Sequence, residues 1–131
     1  MVASRSRRAA RVDPRLSERI AALRPELTYL QINRVKPVTQ SKYLASVEAF
    51  LAHLLHPGFP VWEKHDWDDA LQEYLESLYE AGRDRSHASV LLAAVFWICP
   101  ELGHPQRQVF PWASAALRGW AQLEPGHTRP P

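Results

Sequence analysis

A single cysteine, Cys99, occurs in the 131 residues. Neither an intramolecular disulfide nor a cysteine-based zinc site can be built, and a reducing compartment fits the composition. Long apolar stretches are missing too. The longest unbroken run, Val90 to Cys99, stops at Pro100, about half of the roughly 20 residues that a bilayer-spanning helix needs. No hydrophobic region follows the basic N-terminus, so a secretory signal is not expected and the chain reads as intracellular, with no membrane partner. There is no glycine-rich phosphate loop, nucleophile elbow or dinucleotide fingerprint. The expectation is therefore a protein that is not an enzyme and uses no cofactor. Nor does any segment alternate apolar and polar residues for long enough to read as a strand.

Hydrophobic residues make up 46% and charged residues 23%, the balance of a globular protein with a core, and the length suits one domain. The net charge of +2 hides a segregation. Residues 1–42 carry a balance of +7, residues 43–82 one of −7, and residues 83–131 one of +2. Such asymmetry implies either a polyanionic partner for the basic block or neutralisation of one block by the other.

Helix signals dominate, and the expected fold class is all-α, a compact bundle of four to five helices with a basic N-terminal arm. Asp13-Pro14 reads as a cap and a first-turn proline for a short helix carrying Leu16, Ile20 and Leu23 on one face. Pro25 breaks it, and 26–32 can restart a turn or two before Pro37 ends it. Thr39 is the expected N-cap of a second helix with Tyr43, Val47, Phe50, Leu51, Leu54 and Leu55 at helical spacing. A third starts near Asp66 and stops at Gly82. Ser86 is the expected cap of a fourth, central helix reaching Cys99, and Pro111 opens a fifth with Ala113, Ala116, Leu117 and Trp120 inside. The domains expected are a basic arm over 1–36, a helical domain over 37–124 and an extended proline-rich tail over 125–131.

Metal and hydrolytic chemistry find little support. His53 and His56 fall three apart but lack a third ligand, so no metal is expected and solvated helix-end histidines are the better account. Asp66, Asp68, Asp69, Glu73 and Glu76 read as the acidic start and solvated face of a helix. Cys99 reads as a packed thiol.

The pattern Thr39-x3-Tyr43-x3-Val47-x2-Phe50-Leu51, then Glu73-Tyr74-Leu75-x2-Leu78, Gly82 and an apolar helix from Ser86 to Pro100, resembles the N-terminal core-binding (SAM-like) domain of tyrosine recombinases and phage integrases. Phe110-Pro111-Trp112 with Ala116-Leu117-Arg118-Gly119-Trp120 and the exit Arg129-Pro130-Pro131 looks like integrase-like sequences of eukaryotic retroelements. The match spans roughly 37–131 and rests mostly on caps and core positions. The resemblance implies one half of a clamp around duplex DNA, with a downstream catalytic domain or other protomers as further partners. The family's cleaving tyrosine belongs to that downstream domain, so no catalytic residue is assigned, and Tyr43, Tyr74 and Tyr79 read as core packing. By position the resemblance points to DNA contacts at Thr39, Gln40 and Lys42, and at Arg83, Arg85, Ser86, His87 and Ser89. This sequence departs from the family in being wholly apolar from 90 to 98, where members carry arginines.

Arg8, Arg11, Arg15 and Arg19 recur at helical spacing and would line one face, a stripe suited to phosphates. A nuclear or nucleoid location follows from that reading, and the arm also reads as a mitochondrial presequence or nuclear address. The rival for the whole chain is a helical protein–protein interaction module using Trp62, Trp112 or Trp120 as its hot spot.

Overall fold

The computed structural model describes residues 14–56, 58–103 and 109–124, and the described residues are all-helical. The elements in chain order are α1 (Pro14–Leu23), α2 (Tyr29–Ile32), α3 (Pro37–Leu54), α4 (Lys64–Glu80), α5 (Arg85–Ile98), a 3-10 turn (Pro100–Leu102) and α6 (Pro111–Gln122). The all-α bundle expected from the sequence is what forms. None of these helices is long and apolar enough to cross a membrane. The proposed proline-rich tail, Arg8 and Arg11 lie outside the described residues.

Proline sets three helix starts, because its fixed φ suits the first turn and its missing N–H is not needed there. Pro14, Pro37 and Pro111 each occupy the first position. Two expectations are corrected here. Pro37 opens a helix instead of ending one, and α3 therefore starts before Thr39, with Lys36 as its N-cap and Thr39 inside the first turn. Similarly, α5 begins at Arg85 with Asp84 as N-cap, so Ser86 is the second helical residue and not the cap. Ser86 Oγ instead donates to Asp84 Oδ2 at 2.6 Å. The third helix also starts earlier than expected: Glu63 and Asp66 form a reciprocal capping box around Lys64.

Gly82 ends α4 as expected. Its φ of 77° places it in the left-handed region, and the Gly82 and Arg83 N–H groups donate to Tyr79 and Leu78 carbonyls, the Schellman closure. The same closure ends α3 with a non-glycine residue. Leu55 has φ 56°, its N–H donates to the Ala52 carbonyl, and its side chain is exposed.

α5 runs through the centre, packed against α3, α4 and α6. Leu91, Val95 and Ile98 of α5 meet Leu44, Val47 and Phe50 of α3 and Leu71 of α4 in the main core. A smaller cluster, Leu75, Ala88 and Trp120, holds the far end of α6. The enclosure of α5 is incomplete: Leu92, Ala93 and Phe96 remain half-buried on one flank.

The segment drawn from sequence as an arm is, in its described part, built into this core. Leu16 and Ile20 are buried in it, each burial worth about 2 kcal/mol. Thr28 and Gln31 close a capping box that gives the four-residue α2 its turn. Trp97 Nε1 donates to the Ile32 carbonyl, and Gln40 Nε2 donates to Asn33 Oδ1 and the Val35 carbonyl. The boundary expected at residue 36 is thus crossed by both apolar and polar contacts.

Candidate nucleic-acid interface

Arginine is what the N-terminal block contributes, and its described arginines are largely engaged inside the protein. Arg24 donates to Glu26, to Glu101 and to the Ile98 carbonyl, with its guanidinium 5.1 Å over the Phe59 ring. Its side chain is only 11% exposed. Burial opposes the charge there, but the hydrogen bonds that Arg24 donates to Glu26 and Glu101 outweigh it and hold the guanidinium pKa above its ordinary value. Arg34 donates to the Trp97 carbonyl at 2.7 Å. Both cations therefore sit on the last carbonyls of α5, where the helix dipole is negative. Arg19 makes a two-point contact with Glu48. Of the expected stripe, Arg8 and Arg11 lie outside the described residues, Arg15 is exposed and Arg19 is paired with Glu48.

The opposite end of α5 differs. A groove of ≈ 510 Å³ opens between α3, α4 and α5, and Lys42, Arg83, Ser86 and His87 stand around it. All four are exposed. They come from places far apart in sequence: the first turns of α3, the bend after Gly82, and the first turn of α5. Neither Lys42 nor Arg83 has an ion-pair partner among the described residues. Asp84, the N-cap of α5, makes no side-chain hydrogen bond to the N–H groups of that helix, but its carboxylate, which accepts from Ser86 Oγ, lies next to Arg83 and partly offsets the positive charge of the helix start.

Other residues expected at this face are placed differently. Gln40 is buried, with its amide donating to Asn33 and Val35, and is withdrawn from solvent. Arg85 points its Nε to Glu124 at 3.1 Å, tying the start of α5 to the segment after α6. Thr39 is half-buried and Ser89 is exposed, but neither lines the groove.

Tyr43 is half-buried against Trp97, whereas Tyr79, expected in the core, is exposed with its ring set edge-on to Trp120, and Tyr29 is exposed as well. Tyr74 lines the groove while its ring contacts Phe50 and His53 edge-on, at 5.2 and 4.9 Å between centroids. Burial raises its pKa, with Arg83 pulling partly the other way, so its phenol remains protonated at neutral pH. Of the tryptophans in the rival reading, Trp120 is buried and Trp62 half-buried, while Trp112 is 65% exposed.

Sequence reasoning missed one functional-looking carboxylate altogether. Asp68, expected on a solvated acidic face, is 3% exposed, and it accepts the Trp112 and Ala113 N–H groups at 3.1 and 2.8 Å. It caps α6 from another helix, offsetting the positive end of that dipole. The only hint in sequence is its position one residue after the buried Trp67, on the inward side of α4. No group of three or more histidine, cysteine or acidic side chains placed to hold a metal occurs among the described residues. Cys99 is buried, and burial together with the nearby Glu101 charge pushes its thiol up to about 12.

No family model matches the chain, and neither a curated protein nor a solved structure matches it.

Proposed function

We propose that this chain is a non-catalytic α-helical module that binds duplex DNA through its phosphates, in the manner of the clamp half of a tyrosine recombinase. The observation that carries the reading is the convergence of Lys42, Arg83, Ser86 and His87 on one groove at the start of α5. Exposed cations gathered on one groove attract phosphate. The resemblance names the same two helix starts for DNA contact. Arg85 is held in reserve by Glu124 and joins the face only if phosphate displaces that carboxylate. A role in recombination or integration rests on the resemblance alone, as does a nuclear or nucleoid location.

The test is binding of a mixed-sequence duplex to the whole chain, titrated against salt. The reading expects affinity that falls with salt and a log–log slope reduced by about two units when Lys42 and Arg83 are both replaced by alanine. A supercoiled plasmid should stay supercoiled. Metal-independent nicking abolished by one Tyr→Phe change would overturn the non-catalytic part.

A second reading, a protein-interaction module, is favoured by the half-buried flank of α5 and by exposed Trp112. Absence of duplex binding even at low salt would make it the better one.

A further inference from the structure

The groove at the start of α5 is two-sided in its chemistry. Cationic and hydroxyl groups stand around it, but most of its floor is apolar: Ala45 and Ala49 of α3, Leu78 of α4 and Val90 of α5, with the ring of Tyr74 and a single hydroxyl, that of Ser46. Two alanines where α3 could have carried larger side chains leave the hollow open. The outside of a duplex presents phosphate and sugar, whose oxygens gain nothing from an apolar floor. A base swung out of the stack has flat apolar faces and a phosphate at its edge, and so matches both parts at once.

Size points the same way. The ≈ 510 Å³ of the groove falls within the roughly 300–1,000 Å³ of clefts that take small flat ligands. A docked amphipathic helix needs a strip holding at least three large anchors in series. The floor offers little such depth, since two of its four aliphatic residues are alanine. Tyr74, which lines the groove, is held by edge-on contacts with Phe50 and His53, so its ring is ordered before any ligand arrives, and its hydroxyl stays protonated as a hydrogen-bond donor.

We infer that this groove holds one unpaired nucleotide of DNA, its base against Tyr74 and the alanine floor and its phosphate on Lys42 and Arg83. The inference rests on the DNA reading above and adds a preference to it: locally unpaired or single-stranded DNA over perfect duplex.

Three labelled probes of the same mixed sequence test it on the whole chain: a perfect duplex, that duplex with one unpaired internal base, and the single strand. The probe with the unpaired base binds roughly tenfold more tightly than the perfect duplex, the gain of one base stacked on an aromatic ring. Ala49 is exposed, so Ala49→Leu fills the floor without invading the core, and the ratio of the two affinities falls toward one. A 2-aminopurine at the unpaired position changes its emission on binding the natural chain and not on binding the Ala49→Leu chain. Measurable duplex binding with equal affinity for all three probes overturns this inference and leaves the DNA reading standing. Failure of every probe to bind, with an acidic amphipathic peptide bound instead, overturns both.

Discussion

The two ends of α5 carry the same kind of residue to opposite effect. At its C-terminal end Arg24 and Arg34 donate to the Ile98 and Trp97 carbonyls, cation against negative dipole, and Arg24 is further neutralised by two carboxylates. At its N-terminal end Arg83 and Lys42 stand beside a positive dipole with no ion-pair partner among the described residues. The first arrangement lowers the energy of the fold. The second leaves its two cations to solvent, the arrangement that the proposed phosphate binding needs.

The sharpest way to break this contrast is to remove the cations at each end separately. Replacing Arg24 and Arg34 together by alanine should cost about 3 kcal/mol of unfolding free energy, since two charge-assisted bonds to helix-end carbonyls are lost. Chemical denaturation measures it. A loss within a few tenths of a kcal/mol of zero would mean that these bonds do not form in solution. The Arg24 cluster also has a pH signature. Its hydrogen bond depresses the Glu26 pKa, so the stabilisation is complete above the ordinary carboxylate range and fades as pH falls through the depressed folded value.

A comparison of helix starts comes next. α6 has its N–H groups satisfied by buried Asp68, whereas α5 has no side-chain cap. Asp68→Ala should therefore destabilise the fold by about 2 kcal/mol through two orphaned N–H groups. The change should lie mainly in α6, read as faster amide exchange over Pro111–Gln122. Ser86→Ala, by contrast, removes a bond to Asp84 and no cap, and should shift stability by at most about 0.5 kcal/mol. Between these sits Glu124→Gln, which frees Arg85 and should strengthen DNA binding about two- to fivefold at low salt while steepening the salt slope by about one unit. Smaller still in its functional effect is Cys99. Its thiol is held up to about 12 against an ordinary value of 9, so the stability it contributes is complete below pH 9 and lost as pH rises toward 12. Alkylation at pH 8 should follow global unfolding. Rapid labelling of the native chain would show that the thiol is accessible.

Much of this fold was legible in the sequence, and the parts that were not share a cause. Prolines 14, 37 and 111 and Gly82 act through their own backbone geometry, so a short window reveals them. Thr39 and Ser86 look like caps by residue type, yet a proline two residues earlier in one case and Asp84 in the other move the helix start upstream. For the described part of the expected 1–36 arm, residues 14–36, the contacts with the core were not legible, because its arginines suggest solvent or phosphate. Their partners, Glu48, Glu101 and the end of α5, lie far along the chain. Asp68 escaped for the same reason: its role is set by α6, more than forty residues away. Of the groove, Lys42, Arg83, Ser86 and His87 follow from the resemblance, but the mostly apolar floor between them emerges only when three helices are packed. A truncation at residue 36, which would leave helicity intact if the segment were an arm, should instead unfold much of the domain by uncovering the surface that Leu16 and Ile20 bury.

The most direct test of the central claim sets the two ends of α5 against each other in one experiment, duplex DNA binding across a salt series. Lys42→Ala with Arg83→Ala should weaken low-salt binding about tenfold and flatten the log–log slope by about two units, with thermal stability unchanged or slightly raised. Arg34→Ala alone should leave the slope within about half a unit of the natural chain while lowering the melting temperature. Equal flattening by both changes, or none by the first, would contradict the assignment of the α5 N-terminus as the anion-binding end.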